Sequence, residues 1–132
     1  MRKAFVDTGA WFSFFVAADP DHQPVATAFE QWNGRLLTTE YVFDELVTLL
    51  LYRTGHQNSV RAGSALRSGA IAEMLVVQAM DIENAWRRMS RESDKRYSFT
   101  DCTSFAVMQR LNIDTAIAVD DHFRQAGFSV LP

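Results

Sequence analysis

The run Thr115-Ala-Ile-Ala-Val119, followed at once by Asp120-Asp121, constrains this chain more than any other stretch. Small and β-branched residues without a charge read as a strand buried on both faces, the form strands take in a parallel sheet covered by helices. A carboxylate inside such a strand would be heavily penalised. One at its carboxyl end sits where open α/β sheets place their ligands. Asp120 therefore poses a question to the rest of the sequence: do other acids converge on it?

The first answer comes at the N-terminus. Arg2 to Val6, with Ala4, Phe5 and Val6 as its apolar run, reads as a short strand stopped by Asp7-Thr8-Gly9, which gives Asp7 the same address as Asp120. Taken alone, Asp7 reads as a turn or cap residue. Thr8 is expected to cap a helix over 10–18, whose Trp11, Phe12, Phe14 and Phe15 should pack against the sheet or a second subunit. A second helix over 23–32 carries Val25, Ala28, Phe29 and Trp32 at helical spacing. Leu36-Leu37 forms a short strand, and Thr38-Thr39 supplies the N-cap for a helix over 40–53.

In that helix Val42, Leu46, Leu49 and Leu50 define an apolar face that contains Glu45, while Asp44 aligns with Glu40 and Thr48 on a polar side. A glutamate on such a face needs either a buried ion pair or a metal or other polar site. Another helix follows over 57–67, and Met74-Leu-Val-Val77 is the next strand. Asp81 is the expected N-cap of a helix over 81–92 with Ile82, Ala85, Trp86 and Met89 as its buried stripe. Its other side bears Arg87, Arg88 and Arg91, with Lys95 and Arg96 just beyond; such a run is ordinarily a solvated face. The helix entered through Ser98-Phe99-Thr100-Asp101 extends to Leu111, with Ser98 or Thr100 as cap. Asp101 lies in its first turn, favoured there by the helix dipole. Phe105 and Met108 put Asp101 on the inward face, and Ser104 borders that face. Cys102 reads as a small buried apolar residue, and a last strand covers 128–131.

Strands alternating with helices imply a mainly parallel sheet with helices on both faces. Asp7 and Asp120 then share one edge of the sheet, as do Glu45 and Asp101 near the starts of their helices. Four inward carboxylates at one edge repel each other unless cations neutralise them. An all-oxygen donor set suits Mg²⁺ or Mn²⁺, where zinc would recruit histidine or cysteine. Metal-assisted phosphodiester hydrolysis is chemistry that such a site does well.

The remaining totals exclude more than they assign. The chain has 132 residues, one cysteine and a formal net charge of −3. An intramolecular disulfide and a cysteine zinc site are ruled out. The charge argues mildly against generic nucleic-acid binding, although a cluster of cation-holding acids itself lowers the count. No apolar run reaches the ~20 residues of a membrane span. The N-terminal segment, broken by Asp7, is a poor signal peptide, so the chain reads as one cytoplasmic domain over residues 1–132.

Four stretches together resemble the PIN-domain ribonucleases, in the VapC-type toxin group of toxin–antitoxin pairs: Phe5-Val-Asp7-Thr8-Gly-Ala-Trp, Thr38-Thr-Glu-Tyr-Val-Phe-Asp-Glu45-Leu, Phe99-Thr-Asp101-Cys-Thr-Ser104-Phe-Ala, and Ala118-Val-Asp120-Asp-His-Phe with Ala126-Gly-Phe. The resemblance implies a PIN-like three-layer α/β/α sandwich around a mainly parallel sheet of about five strands. It makes Asp7, Glu45, Asp101 and Asp120 the catalytic metal-binding acids, with Asp121 an additional ligand or a substitute for Asp120. Thr8 and Ser104 match the supporting hydroxyls. The resemblance further implies RNA cleavage with Mg²⁺ or Mn²⁺, a homodimer, and an antitoxin covering the site. Ala118-Val119 stands where Thr-Phe is commoner, a departure that bears on packing more than on chemistry.

Arg87, Arg88, Arg91, Lys95 and Arg96 are then candidates to track an RNA backbone, with Arg53 or Arg61 less supported. His122 reads as a helix-start residue that orients a carboxylate or contacts substrate, not as a general base. The alternative function is a PIN-like module that binds RNA or protein without cutting. A nucleotide-binding α/β domain lacks support, since no glycine-rich phosphate loop follows any strand.

Overall fold

A computed structural model describes residues 2–132, which contain five strands and seven helices. In chain order they are β1 (Lys3–Val6), α1 (Thr8–Phe15), α2 (His22–Gln31), β2 (Arg35–Thr39), α3 (Glu40–Thr54), α4 (His56–Arg67), β3 (Glu73–Leu75), α5 (Ala79–Arg91), α6 (Phe99–Arg110), β4 (Thr115–Ile117), α7 (His122–Gln125) and β5 (Ser129–Leu131). The sheet runs β3-β2-β1-β4-β5 with every neighbouring pair parallel. The order steps outward from β1 through β2 to β3, then returns to the other side of β1 for β4. The β1/β4 seam is thus the topological switch point, where a crevice opens at the carboxyl ends of the strands.

The core forms where the sheet meets the helices. Phe5 and Val6 of β1, Ala116 and Ile117 of β4, Leu46 and Leu50 of α3, and Phe105 and Met108 of α6 are all essentially inaccessible. The aromatic residues of α1 are absorbed within the chain. Trp11 is buried, meets Phe29 of α2 edge-on at 5.2 Å, and donates its indole N–H to Thr38 Oγ1 at 3.2 Å; Phe14 stacks on Phe29 at 4.6 Å. This cluster packs against α2.

Several local expectations are corrected. Helix α1 begins at Thr8 and ends at Phe15 instead of spanning 10–18, with Asp7 in the N-cap position and Thr8 already helical. Strand β4 stops at Ile117, so Val119 is exposed and only Ala118 continues the pairing, donating to Leu131 O at 2.9 Å. Strand β3 is Glu73–Leu75, which leaves Val76 exposed beyond its end. Gln78 is the N-cap of α5, and Asp81 is a residue of the first turn whose carboxylate accepts from Gln78 N–H at 2.9 Å. Trp86 and Met89 are exposed, at 61% and 39%, because Asp81 and Ala85 take the buried positions of α5. The expected cap at Thr39 is present, its Oγ1 accepting from Val42 N–H at 3.2 Å.

Candidate active site

Four elements bring acids to the carboxyl edge of the sheet. Asp7 leaves the end of β1, and Asp120 lies just beyond β4. Asp101 sits in the first turn of α6, the helix whose far end feeds β4. Glu45 stands in the second turn of α3, which starts directly from β2. Gly9 allows the β1 and β4 ends to close on one another: a Cβ added there would stand 2.8 Å from Val119 Cγ2. That contact places the loop bearing Asp120 against the start of α1.

Asp7 is only 4% exposed. Burial pushes its carboxyl well above the usual carboxylate range, and the nearby charges of Asp101, Asp120 and Glu45 push it further, against one opposing hydrogen bond from the Thr8 backbone. Those contributions place the other three acids within electrostatic reach of Asp7. Among the described residues no lysine or arginine pairs with any of the four.

Asp101 is held more firmly. Ser98 caps α6 by accepting from Asp101 N–H at 3.0 Å, and Asp101 Oδ2 accepts in return from Ser98 N–H at 3.0 Å. The same Oδ2 lies 2.8 Å from His122 Nδ1, which acts as donor because an ionised carboxylate can only accept. Burial raises the Asp101 carboxyl, with the Ser98 and His122 bonds working against that rise. His122 also reaches Asp120: its backbone N–H donates to Asp120 Oδ1 at 3.0 Å and its ring lies 3.7 Å from Oδ2. The imidazole rests edge-on against Tyr97 at 5.8 Å. It orients carboxylates here, as the sequence suggests.

The remaining candidates separate. Glu45 is exposed, not set within a buried face, and so needs no buried partner; Val42, Leu46 and Leu50 form the buried stripe without it. Asp121 points outward, its side chain 75% exposed and paired with Arg124 at 3.1 Å. Ser104 is fully buried and donates its hydroxyl to Thr100 O at 3.0 Å, so that proton is not offered to Asp101. Thr8 Oγ1 is buried without a hydrogen-bond partner beside Asp7. Arg88 belongs to the packing between α5 and α6: it pairs with Glu92 at 2.6 Å and lies 4.9 Å from the Phe105 ring centre. Arg87, Arg91 and Arg96 are exposed, while Lys95 pairs with Asp94 at 3.6 Å. Arg53 lies 5.5 Å from the Phe12 ring, and Arg61 is exposed on α4. Cys102 is buried, its thiol pushed up to about 11 by burial.

The donor chemistry fits a hard divalent cation: oxygen atoms only at the switch point, a buried aspartate with no counter-charge, and an orphaned threonine hydroxyl beside it. No group of three or more His, Cys, Asp or Glu side chains among the described residues is posed as a finished cage. Asp101 and Asp120 are both turned toward His122.

Sequence reasoning missed Gly9 as a packing requirement. It also missed the pairing of Asp81 with Arg110, whose Nη2 lies 2.9 Å from Asp81 Oδ2. Gly9 carried a readable signal in its position right after Asp7-Thr8; the Asp81 partner, 29 residues away, carried none.

Comparison with known proteins agrees with the geometry. A model of the PIN domain family matches residues 4–129. The 23S rRNA-specific endonuclease VapC20 of Mycobacterium tuberculosis strain H37Rv is 38% identical over 127 residues, covering 94% of each chain. Ribonuclease VapC26 of the same strain is 30% identical over 134 residues, covering 96% of this chain and 98% of its own. The crystal structure of M. tuberculosis VapC20, described as a sarcin-ricin loop cleaving toxin, is similar at a TM-score of 0.92 and 35% identity, covering 98% of this chain and 99% of that one. FitAcB from Neisseria gonorrhoeae, at a TM-score of 0.72, 13% identity and coverage of 98% and 96%, shares the fold alone.

Proposed function

The chain belongs to the PIN-domain family, and on that premise we propose that residues 1–132 form one nuclease domain, an endoribonuclease that hydrolyses RNA phosphodiester bonds as the toxin of a type II toxin–antitoxin pair. One observation carries the mechanism: Asp7 is buried, uncompensated and surrounded by Asp101, Asp120 and Glu45 at the switch point of a parallel sheet. The α/β/α fold and the ribonuclease names of the relatives support the reaction class.

Asp7, Asp101 and Asp120 would hold the divalent ion, Mg²⁺ or Mn²⁺, with Glu45 completing the set or positioning the attacking water. When bound, the metal lowers the pKa of water and offsets charge on the phosphate. Burial of Asp7 excludes solvent from one side of the site. His122 fixes one oxygen of Asp101 and leaves the other free. Glu45, exposed at the mouth, can accept a hydrogen bond from incoming water. Thr8 Oγ1 has an unused donor for a ligand oxygen or for Asp7 itself. Exposed Arg87, Arg91 and Arg96 suit phosphate contacts; Arg88 serves packing instead. Asp121 has no part in this assignment.

The two descriptions of a single relative, VapC20, as a 23S rRNA-specific endonuclease and as a sarcin-ricin loop cleaving toxin, make a structured ribosomal RNA loop the first substrate to test. A partner antitoxin and a homodimer complete the proposal. Support for the dimer rests on exposed Leu51 and Tyr52 at the end of α3 and Val60 on α4, at 42%, 83% and 51%. No helix among the described residues is long and apolar enough to cross a membrane.

The test is cleavage of total RNA by purified protein with Mg²⁺ or Mn²⁺, alongside EDTA and Asp7→Ala controls. Cutting that vanishes in both controls is expected. Equal behaviour of wild type and variant would leave the second reading, a PIN-like module that binds without cutting.

A further inference from the structure

We propose that Tyr41, Phe99 and Trp86 form a stacking platform for an unpaired nucleobase of the RNA, next to the acid cluster. This rests on the ribonuclease reading above and narrows its substrate to unpaired nucleotides.

Three separate elements deliver one ring each to the same place. Phe99, in the first turn of α6, is the centre. Tyr41 of α3 meets it at 6.3 Å and a 53° tilt, and Trp86 of α5 meets it from another side at 6.3 Å and 66°. Two of these rings share a helix with an acid of the site. Phe99 precedes Asp101 by two residues, and Tyr41 lies one turn before Glu45. Tyr41 and Glu45, four residues apart, lie on one face of α3, so a base lying on the rings is on the same side of that helix as this carboxylate.

Packing does not account for Trp86. With 61% of its surface exposed, the indole keeps most of its apolar area in water, while Ala85 and Asp81 do the burying for α5. The surroundings of the rings are charged. Glu45 follows Tyr41 by one turn, Arg87 follows Trp86 in sequence, and Arg96 lies three residues before Phe99, both arginines exposed. Stacking of a base on aromatic faces is tolerant of base identity, and exposed cations on the same segments can meet the flanking phosphates. A duplex keeps its bases stacked on one another, so only a loop, bulge or single strand can present a free face.

The test uses Asp7→Asn protein, which keeps the RNA whole, titrated with a short single-stranded oligoribonucleotide and followed by tryptophan fluorescence and anisotropy. Trp86→Leu and Trp86→Phe are compared in that background. The Leu variant should weaken binding by about tenfold or more and lose the fluorescence quench, while the Phe variant keeps most of the affinity. An abasic oligonucleotide should mimic the Leu variant, and a duplex of equal length should give no quench. Unchanged melting of each variant by circular dichroism would confirm that only the surface has changed.

Equal RNA affinity in Trp86→Leu and its parent would overturn the platform. So would a change confined to oligomeric state in light scattering, which would make the rings a protein contact. The nuclease reading is judged separately, by wild-type cleavage and its loss in Asp7→Asn. If cleavage holds and the Leu variant binds normally, only the platform fails. If wild type never cuts yet the quench is seen, only the nuclease reading fails.

Discussion

Asp81 and Asp7 are both almost fully buried, at 1% and 4% exposure, and in both cases burial opposes the charge. Asp81 is met by Arg110, whose Nε lies 2.9 Å from Oδ1 and whose Nη2 lies 2.9 Å from Oδ2, and by Gln78 N–H. These bonds outweigh burial and hold its carboxyl below the usual range. Asp7 meets three more acids and no cation, and its carboxyl rises well above that range. One aspartate joins α5 to α6. The other costs stability at neutral pH, and a cation would offset that cost. A buried acid that the fold leaves unpaired is the better indicator of chemistry.

The sharpest way to break this contrast is to neutralise each aspartate. Asp7→Asn should reduce RNA cleavage about a thousandfold or more, the several kcal/mol that a metal supplies to the transition state. The same change should leave melting unchanged or raise it. An Asp7→Asn protein that unfolds would mean Asp7 is structural. Next in size, Arg110→Met strands Asp81 and should destabilise the protein by about 2–3 kcal/mol, at the low end for a broken buried pair because Arg110 is partly exposed. Adding Asp81→Asn should recover part of that loss in a denaturant-melt cycle, and cleavage per folded molecule should stay near wild type.

A smaller effect is expected at His122, which orients Asp101. His122→Ala should raise the Mg²⁺ or Mn²⁺ concentration needed for half-maximal cleavage about tenfold, as loss of an orienting partner commonly does. His122→Asn, which keeps a donor, should recover part of it; equal metal requirements in all three proteins would remove His122 from the site.

The pH dependence is the finest test, and its two signs are opposite. Asp7 has a raised folded pKa, so metal-free protein should lose stability as pH climbs from the ordinary carboxylate range through that raised value. Asp81 has a lowered one, so its contribution is full above the ordinary range and is lost as pH falls through the lowered value. Thermal melts of metal-free wild type and Asp7→Asn should diverge as pH rises through the first window, by on the order of 1 kcal/mol or roughly 4 °C. Parallel curves would show that Asp7 finds a counter-charge in solution.

The acid cluster was legible because each member sits where a local pattern ends. Asp7 follows an apolar strand, Asp120 closely follows another, and Asp101 follows a capping serine. Such endings are short-range facts, and a parallel sheet turns them into a shared edge. Leu49 and Val42 bracket Glu45 at helical spacing, which predicts an apolar face around it, but the buried stripe passes one residue along, through Leu46. Trp86 and Met89 are exposed against the same kind of expectation. Periodicity gives the stripe, and only the partner helix decides which side of it is covered. Here Asp81 is pulled inward by Arg110, and α5 turns with it.

What the sequence by itself determined was the alternation of strands and helices, the parallel sheet, and the set of acids at its carboxyl edge, since these depend on patterns within a few residues. Tertiary structure alone decided which buried aspartate received an arginine, which carboxylate His122 clasps, that Gly9 lets the β4 loop close on α1, and that the rings of Tyr41, Phe99 and Trp86 gather. Those are contacts between residues far apart in the chain, fixed by how helices dock on the sheet, and no local pattern encodes them.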